Sequence, residues 1–317
     1  MEWGYAEVGN FLDSRRGKSR VNYGASASHG MIRALALVDN AGDRELLRSQ
    51  LAEAARRPEP LRMLQSVVES SFYMPLPATQ EPLLREEIER ALAEGAIGIG
   101  MPHAYYLGAT SEEIFHTFEI AADVDVPIFT HVRGRGLQSV QEVVANAAAT
   151  GASLHVVHVN SVSLGDIDPV LRLIQGARAR GVDVTAEAYP YTAGSTSIQS
   201  ALFDGDWQSN YGISYDGLQW QATGERLNAE TFLQYRQQGG VLIIHMMKEL
   251  HFQGQSMKQD EVFMIIKNSL YLLEVGGMTQ TIREYSVNIQ PKFTARGEYA
   301  AVCSSTLHTS VHSGNIQ

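Results

Sequence analysis

From about residue 81 the chain repeats one pattern, an amphipathic helical stretch followed by a short apolar run that ends in polar residues. PLLREEIERALAEG reads as a helix closed by Gly95, and AIGIGMPH as the strand after it. TSEEIFHTFEIAADV, with Thr110 or Ser111 as N-cap, leads into VPIFTHV. SVQEVVANAAATG then leads into ASLHVVHV, and DIDPVLRLIQGARARG into VDVTAEAYPY. NAETFLQYRQQGG followed by VLIIHMM is a looser last copy. Strands that begin near residues 96, 126, 153 and 182 are spaced by just under 30 residues, the length of one helix-plus-strand unit of a parallel sheet. Their continuous apolar character suits burial on both faces. RVNYGASAS, residues 20–28, adds a sixth strand.

Spacing alone fits an open doubly wound sheet as well as a closed barrel, but the strand ends discriminate. His103, His131, His158, Glu187 with Tyr189, and His245 fall at or just past the carboxyl ends of successive strands, the side on which barrel enzymes assemble their sites. No GxGxxG or GxxxxGK[ST] loop is present to hold a nucleotide. The expected fold is therefore α/β, a (β/α)8 barrel, incomplete in that about six of its eight strands are recognisable. Residues 1–249 are expected to form this partial barrel. Residues 250–317, rich in Gln, Ser and Thr and weakly periodic, form a divergent C-terminal segment.

Composition narrows the partners. A formal net charge of -10 works against nucleic acid or an anionic membrane, because phosphate binding needs clustered Lys and Arg. The single cysteine, Cys303, excludes an intrachain disulfide framework and any CxxC site. No run approaches the length of a membrane span, and the first residues lack a signal-peptide core. These features predict a cytoplasmic protein acting on a small molecule. An incomplete barrel exposes sheet edges, so self-association is also expected.

His131 in IFTHVRGRG and His158 in LHVVHVNS end adjacent strands. Imidazole is a common ligand of catalytic metals, and barrel metal sites draw ligands from different strand ends. A single strand-end histidine is as readily a hydrogen-bonded structural group; two in matching positions point to a metal. His155 lies earlier on its strand and is set aside. Arg133 can grip a substrate carboxylate through its planar fork or stay a solvated loop residue. Tyr189 and Tyr191 flank Pro190, and a phenol there can donate to a developing oxyanion or plug the barrel mouth. Asn160 and Ser161 are placed to orient substrate or ligands; His29 and His245 fit packing roles as well as a pocket.

The stretches GAIGIGMPHAYYLGATSEEI, PIFTHVRGRG, EVVANAAATGASLHVVHVNS and ARARGVDVTAEAYPYTAGST together resemble the N-acyl-D-amino-acid deacylases of the amidohydrolase superfamily. RVNYGASASHGMIR and ATGERLNAETFLQYRQQGGVLIIHMMKE extend the resemblance, which covers residues 1 to about 249. It implies zinc-dependent hydrolysis of the amide of an N-acyl-D-amino acid. His131 and His158 match two of the family's metal-binding histidines, and Tyr191 and Ser197 match substrate-contacting positions. The chain departs from the family pattern in three places: it has no HxH motif, its one cysteine lies in the unmatched tail, and no catalytic aspartate is recognisable, Asp260 standing in an unrelated context. Two other readings therefore stay open, a hydantoinase-like cyclic amidohydrolase and a degenerate barrel without catalytic activity.

Overall fold

A computed structural model describes residues 2–20, 22–57, 69–188, 193–245, 250–252 and 255–257. Its centre is a parallel sheet of five strands in sequential order: β1 (Ala27–Ser28), β2 (Ile99–Pro102), β3 (Ile128–His131), β4 (Leu154–Val156) and β5 (Val184–Ala186). α1 (Val8–Arg15) precedes β1, and between the strands run α2 (His29–Ala36), α3 (Ala41–Ala55), α4 (Glu81–Ala93), α5 (Ser111–Asp123), α6 (Gly136–Thr150), the short α7 (Val159–Ser163) and α8 (Ile167–Arg178). The repeat of just under 30 residues is thus a real helix-plus-strand unit.

The predicted punctuation holds at particular residues. The Thr110 hydroxyl accepts from the Glu113 amide at 3.0 Å and starts α5, satisfying one of the amides a helix N-terminus leaves unpaired. Gly151 ends α6 in the left-handed region at φ 82°, where an L side chain is strained. Ile99, Ile128, Leu154 and Val184 pair across the sheet in one row and are buried in the apolar core with the helices. Alternation then turns Gly100, Phe129, His155 and Thr185 to the opposite face. His131, two residues beyond Phe129, shares that second face.

The last expected repeat folds differently. VLII is β8 (Val241–Ile244), the middle strand of an antiparallel sheet between β6 (Gly194–Ser197) and β7 (Leu218–Trp220). The chain thus has five parallel strands among the described residues, and His245 ends a strand of another sheet, where its Nε2 meets Gln219 Oε1 at 2.9 Å. The physical reason is packing: α9 (Trp207–Tyr211), α10 (Ala229–Gln238) and this sheet enclose their own core of Ile198, Phe203, Trp207, Leu218, Trp220, Phe232 and Leu242. β9 (Leu250–Phe252) and β10 (Gln255–Met257) form an antiparallel hairpin, the described part of the C-terminal segment. Among the described residues no helix is long and apolar enough to cross a membrane.

Candidate active site

Parallel strands bring their carboxyl ends to one side, and the residues there meet. Pro102 of β2 pairs with His131, and Thr130 with Val156, so His158 lies one residue farther from its strand than His131 does. The backbone corrects that offset. His158 adopts φ 36° and ψ 52°, a left-handed conformation uncommon outside glycine and characteristic of functional turns. The two imidazoles end 4.5 Å apart between centroids, edge to face.

Both rings are held neutral. Burial pushes His131 well below its ordinary pKa and neighbouring His158 pushes the same way, against Glu2. Burial likewise lowers His158, with Glu2 and Glu187 opposing. The Ser161 hydroxyl donates to the His158 carbonyl at 3.0 Å and lies 3.2 Å from His158 Nδ1. With its one proton so used, Ser161 accepts from Nδ1, an assignment that leaves the lone pair on Nε2. That nitrogen lies 3.9 Å from Glu2 Oε1.

Tyr105, two residues past His103, packs edge-on to His131 at 5.2 Å and is covered by Trp3 at 4.8 Å. Its phenol accepts from Thr196 Oγ1 at 3.2 Å, which brings β6 of the second sheet over the histidine pair. Glu2, Trp3, Tyr105 and Thr196 were not singled out from the sequence. The aromatic pair directly after a strand end in PHAYY was the available signal for Tyr105; Glu2 and Trp3 come from a segment joined to β1 through Tyr5, whose amide donates to the Ser26 carbonyl at 3.0 Å.

The remaining expected residues fall as follows. Arg133 bonds Glu142 of α6, the Ala109 carbonyl at 3.2 Å and Ser111 Oγ at 3.2 Å, tying the start of α5 to α6. Ser197 ends β6, and its Oγ accepts from the Gln199 amide at 3.3 Å. Tyr189 and Tyr191 lie outside the described residues. His155 sits against Phe129 and bonds Thr185 Oγ1 at 2.8 Å, with Glu187 Oε2 3.6 Å from its Nε2. His103 is fully buried: its Nδ1 is 3.3 Å from Thr130 Oγ1 and its Nε2 has no hydrogen-bond partner. His29 is also buried, beside Tyr106 at 3.2 Å.

As metal ligands, His131 and His158 fit: two neutral imidazoles, the His158 lone pair assigned to Nε2. Among the described residues, however, no group of three or more His, Cys, Asp or Glu side chains converges on a point that would hold a metal. The pair thus accounts for two positions of a shell that for zinc normally has three or four protein ligands.

No family model matches the chain, and no curated protein sequence matches it. Among solved structures it is similar to an N-acyl-D-glutamate deacylase from Bordetella bronchiseptica, complexed with zinc and a phosphonate that mimics the tetrahedral intermediate. That likeness has 22% identity and a TM-score of 0.47 over 60% of this chain and 41% of the other. A D-aminoacylase described as defining a subset of amidohydrolases aligns at 22% identity with a TM-score of 0.48, over 64% and 44% of the two chains. A D-aminoacylase studied for its binuclear metal centre aligns at 21% and 0.47, over 62% and 42%. The chain spans about two fifths of the length of these structures, all of which are N-acyl-D-amino-acid deacylases or D-aminoacylases.

Proposed function

We propose that the chain is a metal-dependent amidohydrolase that cleaves the amide bond of N-acyl-D-amino acids, with His131 and His158 as metal ligands and zinc as the metal. The observation that carries this reading is the pair itself: two half-buried, neutral imidazoles 4.5 Å apart at the carboxyl ends of adjacent parallel strands. The resemblance of the strand and loop sequences to the deacylases supports the substrate class. When bound, zinc supplies a Lewis acid and a water of lowered pKa. The chain's own groups do the rest. Ser161 fixes the His158 tautomer, Tyr105, backed by Trp3, walls one side of His131, and the Glu2 carboxylate lies 3.9 Å from His158 Nε2.

A second reading, a scaffold that keeps the pair without catalysis, is favoured by the lack of a third converging ligand among the described residues. Zinc content after equilibrium dialysis, measured by mass spectrometry, separates the two. The first reading expects near-stoichiometric zinc, its loss in His131→Ala and in His158→Ala, and zinc-dependent release of free amino acid from N-acetyl-D-amino acids. Zinc content unchanged by both substitutions would rule out the ligand assignment. Zinc bound through the pair without hydrolysis would leave the scaffold reading standing.

A further inference from the structure

The loop between β3 and α6, HVRGRG, carries two arginines within four residues of His131, and the fold uses them differently. Arg133 is spent on Glu142, the Ala109 carbonyl and Ser111. Arg135 has no such ties: among the described residues its guanidinium makes no hydrogen bond or ion pair, and its carbon lies 4.4 Å above the ring centroid of Tyr211. Burial pulls Arg135 below its ordinary pKa, with Tyr211 opposing. Burial also raises the Tyr211 phenol to about 12, against the pull of Arg135, so the ring stays neutral.

A half-buried cation with no counter-charge is costly unless an anion completes it. Stacking on an aromatic face fixes the guanidinium plane while leaving its edge donors open, the geometry that receives a carboxylate in two parallel bonds. The position is suitable. Arg135 follows His131 by four residues on the carboxyl side of the sheet, and Tyr211 comes from α9 of the second unit, the same unit that lays Thr196 over Tyr105 and His131.

We propose that Arg135, stacked on Tyr211, recognises the carboxylate of the substrate, and that Arg133 is a structural tie between helices. This rests on the reading of the site as one for N-acyl amino acids, and it names the residue that selects an acid over a neutral amide. The test is isothermal titration of the full chain in chelator, so that neither hydrolysis nor a bound metal intervenes, with N-acetyl-D-methionine and its uncharged counterpart N-acetyl-D-methioninamide. The wild type should bind the acid at least about tenfold more tightly, the worth of a charge-assisted bond. Arg135→Gln should bind both equally, Arg135→Lys should recover part of the preference, and Arg133→Gln should keep it while lowering the melting temperature. Preference that survives Arg135→Gln, disappears in Arg133→Gln, or is absent from the wild type would overturn the proposal. An Arg135-dependent preference without hydrolysis in zinc would leave the carboxylate site standing and remove the amidohydrolase reading. Hydrolysis with an undiminished preference in Arg135→Gln would do the reverse.

Discussion

Single residues decide much of this molecule through what they are paired with. Arg33 of α2 is fully buried, bonds Glu113 Oε1 at 2.6 Å and donates to the carbonyls of Ser71 and Met74. Burial raises the Glu113 pKa, and Arg33 draws it back. Removing the cation strands a buried carboxylate, so Arg33→Ala should lower unfolding free energy by about 3–5 kcal/mol. Lysine should rescue little, since one ammonium does not reproduce a fork that spans three acceptors. Urea denaturation checks this, and a loss under about 1 kcal/mol would show that the site relaxes or that Glu113 takes up a proton at little cost. None of this pairing was readable beforehand: Arg33 and Glu113 are eighty positions apart. Arg133 and Arg135 make the same point at close range, because two identical side chains in one loop are separated only by what each meets in space.

At the scale of elements, local signals predicted ends better than partners. Two glycines show the distinction. A Cβ added at Gly151, which ends α6, would meet nothing within 4 Å, so Gly151→Ala pays only the left-handed backbone strain, about 1–2 kcal/mol. At Gly240, φ 155°, a Cβ would lie 2.1 Å from the indole of Trp220, which stacks on Tyr235 at 4.3 Å. Gly240→Ala must displace that stack as well as adopt a strained backbone, and should cost more than Gly151→Ala. Thermal melts of both variants test the order, and equal losses would mean that the Trp220 stack shifts freely. The Thr110 cap offers a third measure: Thr110→Ala should cost about 1 kcal/mol. The helix ends and the Thr110 cap were legible because caps and stop signals act over a few residues. The pairing of VLII was not, because an apolar tetrapeptide is equally at home in a parallel or an antiparallel sheet.

For the whole molecule, two apolar cores and a set of buried neutral histidines set the expected behaviour. The aromatic core around Trp207, Trp220 and Phe232 is smaller than that of the parallel sheet and is linked to it by contacts such as Tyr73 with Asp204 at 2.8 Å and Thr196 with Tyr105 at 3.2 Å. Tryptophan emission, dominated by the second core, should therefore change at lower urea than the far-ultraviolet circular dichroism of the helices, and coincident transitions would show one cooperative unit. Acid should destabilise the fold. Burial, helped by Arg33, lowers His29 from 6.5 to about 3, and burial lowers His103 well below 6.5. The unfolded chain then binds protons that the folded one refuses, so stability falls as pH drops below about 6.5, with Glu113 opposing. A melting temperature that rises between pH 7 and pH 5 would contradict this. What the sequence determined by itself was the helix-plus-strand repeat, its caps and the placing of His131 and His158 at neighbouring strand ends, all consequences of short-range periodicity. Tertiary structure alone decided that the last repeat leaves the parallel sheet, that Glu2, Trp3 and Tyr105 gather at the histidine pair, and that Arg135 stacks on the Tyr211 ring. Each of those depends on contacts between segments far apart in the chain, where the energy lies in burial and pairing that no local pattern encodes.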